Sequence, residues 1–186
     1  MCKPLNTKHD KKNTIMIRPL PTEHPAYFTH YIDLVKNDDV LKELKSQIAE
    51  IKHLMAGIPQ EKENFVYAPG KWTIKEVLGH IIDTERIMAY RALCFARKDK
   101  TKLPGFDQNA YVSNANFNDR TLKDLAFEFA IVRESNRILF KHFTESCLNE
   151  VGNSNGAEIT VRAIIFMIAG HTTHHVNVIK AKYLML

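Results

Sequence analysis

Residues 160–183 read TVRAIIFMIAGHTTHHVNVIKAKY, and this stretch predicts a long helix around which the rest of the chain is organised. Thr160 is a suitable helix N-cap, and only Gly170 weakens the helical pattern. His171 and His175 stand four residues apart, so both rings project from one face of the helix. Two imidazoles at this spacing can bind one divalent ion, with each nitrogen about 2 Å from it. A third ligand must come from another part of the chain.

The same two histidines have a second interpretation, in which they are core residues satisfied by hydrogen bonds. Ile164, Ile168 and Val178 extend the stripe on which they lie, so the pair belongs to a largely apolar, inward-facing surface. A histidine pair on such a surface suits either a metal site or a packed interior. The pattern alone leaves both interpretations open.

The best-marked helix start in the chain is at Thr73. Thr73 and Glu76 form a T-x-x-E capping box, in which each side chain accepts a hydrogen bond from a backbone N–H at the helix end. This predicts a helix over 74–96, with Trp72 and Val77 as a hydrophobic staple around the cap. The cap explains Glu76 without a catalytic role.

The helix predicted over 74–96 carries a third candidate metal ligand, His80, among apolar neighbours. Asp83 and Thr84 lie one turn further on, so either could orient a ligand or contact a metal-bound water. We take Asp83 as the candidate catalytic residue. Arg91 returns to the face of His80 about 16 Å along the axis. We expect it to line the mouth of a cleft or to form a salt bridge with Asp107.

Four long amphipathic helices and a short leading one account for the apolar pattern, with no convincing alternation typical of strands. The second helix is capped by Asp38, and another begins after Thr121. A long loop spans 98–120, a length that in compact domains often carries function. Residues 150–158 are interpreted as a turn. The sequence therefore predicts an all-α four-helix bundle.

Composition narrows the classes of function. Hydrophobic residues make up 45% of the 186-residue chain and charged residues 25%, as in an ordinary globular protein. Of the net charge of +5, residues 1–15 carry +3, so the body has no basic surface suited to nucleic acid. No apolar run is long enough to span a bilayer. Three cysteines without a C-x-x-C pair favour reduced thiols, and we expect a soluble, cytoplasmic protein.

The chain resembles a known family over about 16–183. The segments that carry the resemblance are FVYAPGKWTIKEVLGHIIDTERIMAYRALCFAR, LPGFDQNAYV and TVRAIIFMIAGHTTHHVNVIKAKYL. Their motifs, W-[ST]-x-x-E-x-L-G-H and H-x-x-H-H, are similar to those of the DinB-like superfamily of bacterial four-helix bundles, especially its YfiT-like metal-dependent hydrolases. We therefore expect a polar extension over 1–15 and one bundle domain over 16–186.

The resemblance implies an up-down-down-up bundle and a homodimer. It also implies a divalent metal bound by His80, His171 and His175, with His174 as a neighbour and not a ligand. Imidazole ligands suit several divalent ions, of which we expect zinc or nickel. Relatives in this family include S-transferases and isomerases that depend on bacillithiol or mycothiol. A three-histidine metal with open positions suits catalysis better than a closed structural site.

These expectations lead to an enzyme that acts on a small molecule. In the preferred hypothesis the metal binds a low-molecular-weight thiol co-substrate as a thiolate, which attacks an electrophile. The alternatives are a metal-dependent hydrolase of an amide or ester, and a non-catalytic, stress-related bundle that the metal stabilises. Nothing in the sequence separates the transferase from the hydrolase.

Overall fold

The computed structural model describes residues 16–37 and 39–185, which form seven α-helices and one β-hairpin. The elements are α1 (Thr29–Asp33), α2 (Val40–Ala56), α3 (Ile74–Ala96), α4 (Gln108–Asn114), α5 (Leu122–Lys141), α6 (Glu145–Leu148), β1 (Val151–Ser154), β2 (Ala157–Thr160) and α7 (Val161–Val178). Short 3-10 turns lie at Pro21–Glu23, Ala26–Phe28, Gln60–Lys62 and Phe117–Asp119, and a π-helical turn, Ile179–Leu184, continues α7.

The four long helices α2, α3, α5 and α7 form a four-helix bundle, as the sequence predicted. Around the bundle, α2 packs on α5, α5 on α3, α3 on α7 and α7 on α2, while α1 covers α7 from outside. Within the residues that the structure describes, no helix combines the length and apolar character needed to cross a membrane.

The helix starts follow the predicted capping residues. The Thr73 hydroxyl accepts from the Glu76 N–H at 3.1 Å, and Glu76 accepts in return from the Thr73 N–H at 2.7 Å, which completes the capping box. The hydroxyls of Thr121 and Thr160 cap α5 and α7 by accepting from the N–H groups of Asp124 and Ala163. The predicted cap Asp38 and the extension 1–15 lie outside the described residues. The carboxylate that caps α2 is that of Asp39.

The interpretation of 150–158 as a turn was wrong, because this segment forms the hairpin β1–β2. Its two-residue turn is Asn155-Gly156, with φ of 54° and 81°. A type I′ turn needs two left-handed residues, and Asn-Gly is the favoured pair there. The strands were missed because each has only four residues, too few for a visible alternation.

The predicted long loop is largely ordered by the hairpin. The Leu103 N–H donates to the Asn153 carbonyl at 3.0 Å, and the Leu103 carbonyl accepts from the Asn155 N–H at 2.9 Å. Leu103 is therefore bridged to Ser154, at the end of β1, just before the segment that begins at Pro104. Beyond it, Asp107 caps α4 by accepting from the N–H groups of Asn109 and Ala110.

The interior of the bundle holds two apolar cores, separated by a polar layer. The first contains the start of α7 and the end of α3, with Ile164 and Phe95 fully enclosed. The second contains the start of α3 and the end of α7, with Leu78 and Ile179 among its members. Each long helix crosses from one core to the other, so each must pass through the polar layer.

The centre of the polar layer is the guanidinium of Arg133 on α5, which is fully buried. Its Nε and Nη2 donate to the Glu85 carboxylate of α3 at 2.8–2.9 Å, and Nη2 also donates to the Thr172 hydroxyl of α7 at 2.8 Å. Nη1 donates to the side-chain carbonyl of Gln47 on α2. Asn136, on the same helix as Arg133, also donates to Glu85 at 3.2 Å. One cation thus binds side chains from all the other long helices.

Removing one partner of a buried ion pair leaves an uncompensated charge, which costs about 3–5 kcal/mol. We expect Glu85→Ala to lower the free energy of unfolding by that amount, measured by urea denaturation. The matched control is Glu134→Ala, which breaks the surface pair with Arg137 and should cost about 0.5 kcal/mol or less. Equal losses in the two variants would show that the buried network is not a major source of stability.

Candidate metal centre

The three histidines proposed from the sequence meet at one point inside the bundle. Nε2 of His171 lies 3.1 Å from Nε2 of His80 and 3.1 Å from Nε2 of His175. One ring nitrogen of each residue lies within 4.8 Å of the corresponding atoms of the other two. His80 and His171 are 3% and 6% exposed, and His175 is partly buried.

Two features of the backbone help to place these rings. The main chain of α1 passes so close to α7 that a Cβ on Gly170 would stand 1.8 Å from the Tyr31 carbonyl oxygen. Because residue 170 has no side chain, the Tyr31 ring can reach His171, with their centroids 5.5 Å apart. Trp72, next to the cap of α3, covers His80 at a centroid distance of 4.8 Å. Aromatic rings therefore enclose the histidines from both sides.

The histidines are held in the neutral form that a metal ligand requires. Burial lowers the pKa of His80 to about 4. Burial, followed by the nearness of His80 and His174, lowers the pKa of His175 to about 3. For His171 the pKa falls well below its usual range, chiefly because the ring is fully enclosed and also because His175 and His80 lie beside it. All three lone pairs are therefore available at neutral pH.

This set of donors fits a divalent metal ion. Two nitrogens bound about 2 Å from a tetrahedral ion lie about 3.3 Å apart, close to the two 3.1 Å separations observed. A neutral imidazole nitrogen offers either one proton or one lone pair, so Nε2 of His171 cannot donate to one neighbour while accepting from the other. A shared cation uses all three lone pairs at once.

The cluster stands between two cavities. One, the Arg91 cavity, has a volume of about 190 Å³ and reaches His80 and His171. The other, the His174 cavity, has a volume of about 270 Å³ and reaches His175. Its further lining includes Trp72 and Tyr183, whose hydroxyl donates to the Trp72 carbonyl at 2.6 Å.

Of the two polar residues predicted one turn beyond His80, only Thr84 lies beside it. The Thr84 hydroxyl is 3.4 Å from Nδ1 of His80, on the ring edge away from the cluster. Asp83 instead lies beside Arg86, with Glu128 and Arg120 nearby, and it lines neither cavity. Burial raises its pKa. Its catalytic role stays a prediction that the geometry does not favour.

Of the two positions expected for Arg91, the structure has the first, on the cavity wall along the His80 face of α3. The alternative pairing with Asp107 is not formed. Nη2 of Arg91 donates to the Pro104 carbonyl at 2.6 Å, and the Asp107 carboxylate caps α4.

A family model described as the DinB superfamily matches residues 43–179. This match covers α3, α5, α7 and most of α2, including every histidine of the cluster. The chain belongs to the DinB superfamily. Its resemblance to that superfamily, drawn above from motifs alone, is thereby confirmed.

Within the DinB superfamily, the chain is 24% identical over 144 residues to "Putative metal-dependent hydrolase OB0413" of Oceanobacillus iheyensis, a match that covers 75% of this chain and 81% of the relative. The fold is similar to that of YfiT from Bacillus subtilis, described as "a probable metal-dependent hydrolase with an unusual four-helix bundle topology". That match has a TM-score of 0.73 and 15% identity, over 80% of this chain and 86% of YfiT.

A second solved structure of similar fold is that of a mycothiol-dependent maleylpyruvate isomerase. It matches with a TM-score of 0.61 and 10% identity, over 80% of this chain and 62% of the isomerase. At these identities the two solved structures establish the shared fold, and their activities remain properties of those proteins.

Sequence reasoning missed the residues that enclose the cluster in this DinB-superfamily chain. Trp72 was interpreted as a staple, yet its ring also packs on His80. Tyr31, on α1, packs its ring against that of His171, a contact that the sequence did not predict. Gly170 was the available signal for Tyr31, because a glycine within a helix often marks a close backbone approach.

The arrangement predicts which histidines hold the metal. We expect His80→Ala and His175→Ala to lower the metal content per chain strongly, measured by elemental analysis after purification. His174→Ala is the matched control, because its ring points toward Tyr31 and His30 at centroid distances of 5.3 and 5.9 Å. A larger loss of metal in His174→Ala than in the other two variants would contradict the ligand assignment.

The depressed histidine pKa values predict how the metal-free protein responds to acid. Between about pH 6.5 and pH 4 the unfolded state binds a proton at residue 80 and the folded state does not, so stability falls as the pH falls. Each such histidine contributes a slope of up to about 1.4 kcal/mol per pH unit. We expect His80→Gln to flatten the pH dependence of the urea midpoint of the chelated protein.

The control for this measurement is His53→Gln, which removes an exposed histidine from α2. It should keep the wild-type pH dependence. A wild-type slope in His80→Gln would mean that His80 takes up its proton in the folded state as readily as in the unfolded state.

Proposed function

We propose that this protein is a metal-dependent enzyme that joins a low-molecular-weight thiol, through its sulfur, to an electrophilic small molecule. The reaction centre in this proposal is the cluster of His80, His171 and His175. When bound there, a divalent ion, with zinc or nickel favoured by imidazole ligands, supplies the Lewis acidity that lowers the pKa of a thiol.

The observation that carries the proposal is the position of the histidines between two cavities. A transfer between two small molecules needs both of them at one centre, each with its own approach. The Arg91 cavity reaches His80 and His171, and the His174 cavity reaches His175. This arrangement supports a reaction of two substrates.

The lining of the cavities also favours a thiol over water as the nucleophile. Among the described residues that line them there is no aspartate or glutamate. Water at a metal site is commonly deprotonated by a neighbouring carboxylate, as in H-E-x-x-H enzymes. A thiol needs less help, since its ordinary pKa of about 8.5 already lies near neutrality.

The second candidate is hydrolysis of an amide or ester, with water in place of the thiol. One residue favours it. His174 lines the cavity next to His175, and burial lowers its pKa, so it is neutral and able to accept a proton. The names of the relatives from Oceanobacillus iheyensis and Bacillus subtilis also point to this chemistry.

The test is incubation of the metal-loaded protein with chlorodinitrobenzene and a panel of thiols, namely cysteine, glutathione, coenzyme A and bacillithiol. In the expected reaction a C–S bond forms, the C–Cl bond breaks, chloride leaves with its electron pair, and the thiol proton passes to solvent. We expect turnover to depend on one thiol of the panel and to be lost in His80→Ala.

A parallel assay with p-nitrophenyl acetate and no added thiol tests the hydrolase. Ester turnover without thiol, lost in His80→Ala, would assign hydrolysis in place of transfer. No turnover in either assay at full metal occupancy would contradict both enzyme proposals and favour a metal that only stabilises the bundle.

A further inference from the structure

Arg91 differs from the other buried arginines in its partners. Arg133 binds Glu85, and Arg162 binds Glu145. Arg91 is only 5% exposed, yet its hydrogen bonds go to the Pro104 carbonyl at 2.6 Å and to the Met88 sulfur at 3.2 Å. Among the described residues no carboxylate forms an ion pair with it. Burying a cation without a counter-charge costs free energy, and an anionic ligand bound to the cation would offset that cost.

The position of Arg91 relates it directly to the histidines. His80, Thr84, Met88 and Arg91 recur every three or four residues, so they share one face of α3, and all of them line the Arg91 cavity. Side chains on a helix lean toward its N-terminus, which is the His80 end of this face. The cavity therefore runs along the helix with the histidines at one end and a guanidinium at the other.

Aromatic and apolar side chains form much of the wall between these ends, together with the polar residues Gln108, Ser154 and Asn155. The residues that line the cavity include Tyr27, Phe28, Tyr31, Phe106 and Met167. The volume of about 190 Å³ exceeds the roughly 150 Å³ that encloses a benzene molecule in an engineered protein cavity. A flat apolar body with one charged end suits this shape.

We propose that Arg91 is the anion subsite of this cavity and that the substrate is a small carboxylic acid with a flat apolar body. A planar guanidinium matches the two oxygens of a carboxylate. Among the described residues of the cavity wall there is no lysine. The single charge of Arg91 therefore balances one negative charge and not a phosphate dianion. This inference rests on the proposed function for the role of the histidines, but binding is measurable without turnover.

The rival explanation is structural. In it, Arg91 serves only to hold the segment around Pro104, through the hydrogen bond to its carbonyl. That role needs a donor at residue 91 but no ligand. The two explanations differ in whether a carboxylate binds more tightly than its uncharged analogue.

The experiment is titration calorimetry of the full-length, metal-loaded protein with benzoate, benzamide and phenyl phosphate. We expect benzoate to bind at least about 10-fold more tightly than benzamide, as befits a charge-assisted pair, and more tightly than phenyl phosphate. Equal affinities for benzoate and benzamide would overturn the proposal. Tighter binding of phenyl phosphate would overturn the assignment to a carboxylate.

Variants then locate the binding. Arg91→Met should weaken benzoate binding by about 10-fold or more, and Arg91→Lys by less, because lysine keeps the charge but loses the planar fork. Arg137→Met is the matched control, since it removes a surface arginine of α5 and should leave benzoate binding unchanged. The comparison of benzoate with benzamide in the wild-type protein stands even if Arg91→Met does not fold.

Metal content, measured in the same samples, separates this inference from the proposed function. If benzoate still binds to Arg91→Met and is released when the metal is chelated, then benzoate binds to the metal. That result would overturn the role of Arg91. Loss of benzoate binding in Arg91→Met at unchanged metal content supports the subsite, whatever the outcome of the thiol assays.

Discussion

The burial of one guanidinium constrains the whole bundle. Arg133 has no exposed surface, so its charge must be balanced and its N–H groups must find acceptors inside the protein. The acceptors come from Glu85, Gln47 and Thr172, one on each of the other long helices. Apolar packing is tolerant of small sliding movements between helices, whereas hydrogen bonds are directional. The Arg133 network therefore sets the relative axial positions of α2, α3, α5 and α7.

The histidine cluster uses the positions that this network sets. Thr172 follows His171 directly on α7, and Glu85 comes five residues after His80 on α3. Bringing Arg133 into contact with both helices therefore brings the two histidine-bearing turns together. The polar layer that divides the apolar cores thus contains two groups of side chains. The first is the Arg133 ion-pair network. The second is the set of imidazoles beside it, in which Nε2 of His171 lies 3.1 Å from Nε2 of His80 and from Nε2 of His175. The first is complete within the chain, and the second has lone pairs left to bind an ion.

Structure outside the four long helices shapes the Arg91 cavity. Asn155 and Gly156 allow the tight turn of the hairpin, and the end of β1 is bridged to the chain just before the segment that supplies the Pro104 carbonyl to Arg91. Gly170 admits the backbone of α1 against α7. One face of the histidine cluster is thereby enclosed by structure that lies outside the four long helices. The histidines thus line cavities of a size suited to small molecules, as chemistry on a small molecule requires.

The sequence by itself determined the four long helices, their N-caps at Thr73, Thr121 and Thr160, and the three histidines, because capping and helical periodicity are local properties of the chain. It also determined membership of the DinB superfamily, since the motifs around His80 and His171 are specific. It did not determine the hairpin, the partner of Arg91, or the neighbours of Asp83. Those depend on which surfaces meet after the helices pack, and contacts between residues far apart in the chain leave no periodic signal. Only the tertiary structure decided that Arg91 faces a cavity while Asp83 faces Arg86 and Glu128.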